Sequence, residues 1–177
     1  KSDAESFGKI VTYYPHNFTV SPWLENFTDK DFLFSLRNSF LIALIAMTIS
    51  MVFGVTAAYG MGRYKVPGQK GFMLSFLITQ MLPASLTLTP MYLIFSRLHL
   101  LGTYLGPALA IASGTVPFIV VTLRPYFKSV PTALDDAARI DGCNVFQAFF
   151  KIMIPAIKTG IITCLVISFL NGWNDLL

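Results

Sequence analysis

The 177-residue chain is 54% hydrophobic and 12% charged, against roughly 25% charged residues in soluble domains, which excludes an ordinary water-soluble enzyme and indicates a membrane protein. Its formal net charge of +4 does not point to nucleic acid, because the basic residues are dispersed between apolar runs and form no dense patch. Its two cysteines, Cys143 and Cys164, have neither paired spacing nor a histidine cluster nearby, so neither a disulfide framework nor a metal site is indicated.

Residues 1–31 are polar with interspersed aromatics (Tyr13, Tyr14, Phe18, Trp23, Phe27) and hold five acidic against three basic residues. They are expected to form an extracytoplasmic lead-in. They carry no basic flank, apolar core and cleavage site, so the chain is expected to begin inside a longer protein. Trp23 and its aromatic neighbours suit either an interfacial belt or a small external cap. The triplets at Asn17 and Asn26 match glycosylation sequons and are treated as chance matches.

Residues 40–59, an uncharged run, have the length needed to cross a hydrocarbon core of about 30 Å and form the first expected span. Gly54, Ala57, Ala58 and Gly60 near its end predict close helix packing. Arg63, Lys65 and Lys70 follow. Residues 71–95 form a second span interrupted by Pro83 and Pro90, each of which removes a helix hydrogen bond. Such breaks at membrane depth are tolerated where protein or a water-filled cavity satisfies the backbone. Gln80, Ser85, Thr87 and Thr89 occupy this disturbed region and either line a translocation path or bond between helices. After a short loop with Arg97 and a lone, exposed His99, residues 105–123 form a third span interrupted by Pro107 and Pro117. Residues 156–170, extended to 177, form a fourth, with Lys158 at its start. Asn171, Trp173 and Asn174 near its far end are either wall residues of a path or a polar–aromatic helix end at an interface.

Between the third and fourth spans, residues 132–155 read as helix, turn, helix and are taken as a docking element. Thr132 is placed as the N-cap, with Asp135 and Asp136 in the first turn, where the helix dipole favours negative charge. Steps of three and four from Leu134 reach Ala137, Ala138 and Asp141, a face small enough for a partner to approach closely. Gly142 suits a left-handed C′ position. Asn144 then caps a second helix with Gln147 at N3, and Val145, Phe146, Phe149, Phe150, Ile152 and Met153 supply a broad apolar stripe expected to anchor it to the bundle. Arg63, Lys65, Lys70, Arg124, Lys128, Arg139, Lys151 and Lys158 all lie on the side of this segment, whereas the opposite short loop has only Arg97. By the positive-inside rule the docking segment is cytoplasmic, and the lead-in and the Arg97 loop are external.

Asp136-Ala137-Ala138, three residues, Gly142, nine residues, then Ile152-x-Ile154-Pro155 resembles the E-A-A, x3, G, x9, I-x-L-P signature of permease subunits of bacterial ATP-binding-cassette (ABC) importers. The spacing is kept in full. Asp136 stands for the usual Glu and Ile154 for the usual Leu, with the chemistry retained. Further stretches resemble the maltose-type, carbohydrate-uptake branch: Arg37-Asn38-Ser39, Ala57-Ala58-Tyr59, residues 79–83, Pro90-Met91-Tyr92, Pro117-Phe118 and Gly172-Trp173-Asn174-Asp175, where relatives commonly have Glu at the last position. The resemblance implies an all-α, polytopic transmembrane bundle of the type I importer permease core, with a cytoplasmic coupling helix. Residues 32–177 would be the permease domain and 129–155 its coupling segment. The branch typically has six spans, and the first and last are expected to be missing from this chain.

The resemblance also implies a mechanism and its partners. Two permease subunits, identical or distinct, line the path in the bacterial inner membrane, and two cytoplasmic ATPase subunits bind ATP and Mg. An external binding protein delivers a solute such as a sugar or polyol. Leu134, Asp135, Asp136, Ala137, Ala138, Arg139, Asp141 and Gly142 would couple to the ATPase. The chain contains no G-x-x-x-x-G-K-[ST] loop, so ATP chemistry is assigned to the partner and the chain itself is a transport subunit, not an enzyme. An ion-coupled secondary transporter and an intramembrane enzyme are the competing readings. The first leaves the docking segment unexplained, and the second lacks ionisable groups within the spans.

Overall fold

The structure, a computed structural model, describes residues 20–174. The expectations for Tyr13, Tyr14, Phe18, the sequon at Asn17 and Asp175 fall outside the described residues. Residues up to Asn38 form one compact unit and those from Ser39 a second. In the first, helix α1 (Ser21–Thr28) is followed at Lys30 by the start of helix α2 (Lys30–Arg63). The Asp29 carboxylate accepts a bond from the Asp31 amide at 3.0 Å, and the Phe27 and Phe32 rings meet edge to face at 6.1 Å.

The rest of α2 opens the second unit. At 34 residues the whole helix is about 51 Å long at 1.5 Å per residue, so it extends beyond the expected span at both ends. Its buried residues are Ala43, Ala46, Ser50, Gly54, Val55 and Ala58, and all but Val55 form a stripe of small side chains in steps of three or four. A small stripe lets other helices approach closely, which is how helices associate where lipid removes the hydrophobic drive between them. A Cβ on Gly54 would lie 2.6 Å from Ile119 Cγ2, whereas one on Gly60 would meet nothing within 4 Å. The expected small cluster therefore divides into a contact position and an open one.

Helix α3 (Gln69–Met81) starts after Gly68 in the left-handed region at φ 73° and ends at Leu82–Pro83. Helix α4 (Ala84–Arg97) then leaves at 104° and continues through Pro90. Pro83 thus produces the break, because it has no N–H to extend α3, while Pro90 lies within a continuous helix.

Helix α5 (Leu105–Ser129) corrects the expectation of an interrupted third span. Pro107 falls in the first turn, where the missing N–H has no helical partner in any case, and Pro117 and Pro125 lie inside an unbroken helix. Ser113, whose carbonyl loses its helical partner to Pro117, is among the residues lining a cavity. The buried face of α5 runs Ala108, Ile111, Ala112, Thr115, Ile119, Leu123 and Phe127.

Close approaches give the directions of the long helices. Gly54 meets Ile119 and Gly62 meets Phe127, so α2 and α5 run in the same direction. Helix α8 (Lys158–Asn174) starts with Gly160 against Leu123 and ends with Gly172, whose Cβ would lie 2.9 Å from Ala43 Cα. It therefore returns along both. The main core joins Val55 and Ala58 of α2, Ile119, Leu123 and Phe127 of α5, Cys164 of α8 and Ile157 just before it.

No strand occurs among the described residues, and the architecture is all-α. Two helices, α2 and α5, are each long and apolar enough to cross a bilayer, and the count is four if each of two bent helix pairs is one span.

Candidate functional site

Because α2 and α5 are parallel, their C-terminal ends lie together, and the chain between α5 and α8 is built on that shared end. Val130 (φ −67°, ψ 127°) and Pro131 (φ −57°, ψ 138°) are extended and lead into helix α6 (Thr132–Ile140). Pro131 takes the N-cap position, and no side chain caps the helix. The expected Thr132 cap is corrected: the extended Val130–Pro131 pair ends before it, so Thr132 is already the first helical residue.

Each residue turns a helix by about 100°, which places Asp135 and Ala138 on one side of α6 and Asp136, Ala137 and Ile140 on the other. Ala138 is fully buried and Asp135 is half-buried, whereas Leu134 is 41% and Ile140 86% exposed and Asp136, Ala137, Arg139, Asp141 and Gly142 are also exposed. Of the expected small face of Leu134, Ala137, Ala138 and Asp141, only Ala138 departs from the expectation, because it is buried. Ala138 is buried within its own chain, and the exposed large apolar residue of the opposite side is Ile140, which the periodicity count left out.

Asp135 turns inward because it has a partner there. Its carboxylate pairs with Arg63, the last residue of α2, whose side chain is only 6% exposed. Arg63 Nη1 also donates to the carbonyls of Val130 (2.7 Å) and Phe127 (3.3 Å). Arg124 Nε donates to the Met61 carbonyl at 3.3 Å. No spacing rule connects Arg63 with Asp135, and counting basic loops had given Arg63 only a topological role.

The turn after α6 has the hydrogen bonds of a Schellman motif. Cys143 N–H donates to the Ala138 carbonyl at 2.9 Å and Gly142 N–H to the Arg139 carbonyl at 3.1 Å, with Gly142 at φ 75°. Asn144 then starts helix α7 (Val145–Ala156) with a complete capping box. Its Oδ1 accepts from Gln147 N–H at 2.8 Å, and Gln147 Oε1 accepts from Asn144 N–H at 2.9 Å. Asn144→Ala is expected to cost about 1 kcal/mol of local stability, measurable as faster amide exchange at Gln147.

Phe149–Met153 widens into a π-turn, closed by Ile154 N–H donating to the Phe149 carbonyl. Pro155 gives the physical cause: its ring would clash with the Lys151 carbonyl in a regular α-helix, and the wider turn moves that carbonyl aside. Only Phe149 and Met153 of the expected apolar stripe are buried, and Ile152 is half-buried. Val145 (57%), Phe146 (75%) and Phe150 (64%) are exposed, which corrects the expectation that the whole stripe beds on the bundle. With Ile140 they form apolar points among the exposed charges Asp136, Arg139, Asp141 and Lys151. Such mixed surface suits a protein partner better than a lipid tail.

A cavity of about 900 Å³ lies at the other feature of interest, bounded by α3, α4, α5 and Asn171. Of the expected path residues, Thr87 and Asn171 line it. Gln80, Ser85, Thr89 and Asn174 are exposed and are not among its lining. Thr87, Met91 and Phe95 follow one another at helical steps of four, so the face of α4 that carries them turns Ser85 and Thr89 away. Thr79, Tyr92, Ser113 and Thr115 also line it, and none of them had been expected from the sequence as a path residue.

The sequence profile of the family described as "Binding-protein-dependent transport system inner membrane component" matches residues 50–177. The chain is 30% identical over 178 residues to the sulfoquinovosyl glycerol transport system permease protein SmoH of Agrobacterium fabrum, covering 100% of this chain and 62% of that one. It is 32% identical over 170 residues to the trehalose transport system permease protein SugB of Mycobacterium tuberculosis, covering 96% and 61%. The chain thus spans about three-fifths of the length of these relatives. Its structure is similar to a chain in the crystal structure of a bacterial ABC transporter involved in the import of the acidic polysaccharide alginate, with a TM-score of 0.78 at 26% identity, over 91% of this chain and 56% of that one.

Proposed function

The chain belongs to the family of binding-protein-dependent transport system inner membrane components, and from that membership we propose that the whole protein is a multi-pass permease subunit of an ATP-driven importer in a bacterial inner membrane. The relatives' names point to a sugar or related polyol as solute. The observation that carries the proposal is the α6–Gly142–α7 corner. It offers Ile140, Asp136 and Ala137 outward while Ala138 is buried and Asp135 pairs with Arg63, which bonds the ends of two spans together.

In this mechanism α6 sits in a cytoplasmic ATPase, and closure of the ATPase pair pushes on it. Arg63 and Arg124 bond at the same end of the bundle as α6, consistent with that end being the cytoplasmic one. A second permease completes the path, an external binding protein delivers the solute, and the 900 Å³ cavity belongs to the wall that reorganises between inward- and outward-open states.

Reconstitution into vesicles with and without the ATPase tests the proposal. Uptake of the solute carried by the cognate binding protein should require both ATP and the ATPase. Uptake that persists without the ATPase, driven by an ion gradient, overturns the proposal in favour of a secondary transporter. Asp136→Ala should change stability by no more than about 0.5 kcal/mol, because Asp136 is exposed and lies beyond the first turn of α6, as read by thermal unfolding. A severe uptake defect in a stably assembled Asp136→Ala complex would assign the carboxylate to the ATPase contact.

A further inference from the structure

Helices α5 and α6 are joined by Val130 and Pro131, both extended, so no continuous helix carries a push from α6 into α5. A two-residue extended link is a hinge unless something braces it. The Arg63 guanidinium lies across this link. One nitrogen donates to Phe127 and Val130 on the α5 side, and the other pairs with Asp135 in the first turn of α6. The carbonyls at a helix C-terminus carry partial negative charge, so both sides of the link attract the same cation. The planar fork of arginine can hold both sides at once, whereas a lysine ammonium is a single point charge on a flexible stem.

The same end of α2 also holds α7. The Tyr59 ring lies 5.4 Å from that of Phe127 and 4.8 Å from that of Phe149, the first residue of the π-turn. Thus α2, α5, α6 and α7 converge on one turn of α2. Arg63 is nearly buried, so removing its anionic partner leaves a poorly solvated charge and not merely a missing surface contact.

We propose that Arg63 is a positioning residue that braces the Val130–Pro131 hinge, making α6 move as one body with α2 and α5. This rests on the reading of α6 as the ATPase-docking helix.

The test uses the full-length permease with its second permease and ATPase in lipid nanodiscs, in a Cys143→Ser, Cys164→Ser background. Spin labels go on Gly60→Cys, where a Cβ meets nothing within 4 Å, and on Ala133→Cys, an exposed position in α6. Distances are measured before and after ATP with vanadate. With Arg63 and Asp135 intact, one narrow distance should persist through both states. In Asp135→Asn the distance should broaden and shift with nucleotide, and stimulation of ATP hydrolysis by the binding protein should fall about tenfold, within the range of site-to-site coupling energies. Arg63→Lys should fall between the two.

A narrow, nucleotide-independent distance in Asp135→Asn overturns the brace. Should that variant not assemble, the same result in Arg63→Gln overturns it equally. Failure of the unsubstituted permease to bind an ATPase would overturn the docking reading instead. The label pair in the permease alone would still report whether Arg63 holds α6 to α2.

Discussion

Gly142→Val is expected to abolish ATP-driven uptake while leaving the spans inserted. Gly142 sits at φ 75°, and a Cβ there meets no neighbour within 4 Å, so the obstacle is the backbone conformation and not crowding. An L-residue in the left-handed region costs about 1–2 kcal/mol, and a β-branched one fares worse because both branches crowd the backbone. The turn can relieve this only by giving up the bonds from Gly142 to Arg139 and from Cys143 to Ala138. Helix α6 would then lose its fixed angle to α7, and Ile140 its place on the presented surface. Gly142→Asn is the control, because asparagine tolerates the left-handed region, and it should keep most of the uptake. Equal activity of the Val and Asn variants would show that the turn's conformation does not matter for coupling.

Gly54→Val should destabilise the bundle by about 1–3 kcal/mol through overpacking. A Cβ at that position would lie 2.6 Å from Ile119 Cγ2 and 2.7 Å from Ile119 Cβ, the latter an atom fixed by the backbone of α5. The clash therefore cannot be relieved by a rotamer change alone, and α2 must move away from α5. Ile119→Ala in the same chain should recover much of the loss by opening the space. Gly60→Ala, six residues on and with nothing within 4 Å, should be neutral or slightly stabilising, since alanine is the better helix former by about 1 kcal/mol. Thermal unfolding of the purified protein in nanodiscs measures all three. A Gly54→Val variant as stable as Gly60→Ala would mean that α2 and α5 do not cross at this point.

These two glycines differ in how far the sequence disclosed their roles. Gly142 follows a short polar helix and precedes an Asn-x-x-Gln cap, so its left-handed conformation was legible from local chemistry. Gly54 and Gly60 looked alike, because which of them faces α5 depends on the rotation of a helix about its axis. The same limit applied to α6. Its length and terminating turn were readable, but its inward face was not, since the turning of Asp135 depends on Arg63, 72 residues earlier in the chain.

The prolines show a related contrast. Pro83 breaks a span and Pro117 does not, although each removes one hydrogen bond, because the outcome depends on what neighbours supply to the freed carbonyl and how tightly the helix is packed. The apolar stripe of α7 was visible as composition, yet Phe146 and Phe150 lie exposed beside buried Phe149 and Met153.

The sequence by itself determined the membrane class, the helical architecture, the helix–turn–helix segment at 132–155 with its capping box and glycine turn, and the family signature. Each depends on composition or on residues a few positions apart. Only the tertiary structure decided that α2 and α5 run parallel, that their ends form one platform, and that Arg63 spans the hinge leading into α6. Such facts depend on helix rotation and on pairs far apart in the chain, where one charge can satisfy several distant groups and no periodicity records the choice.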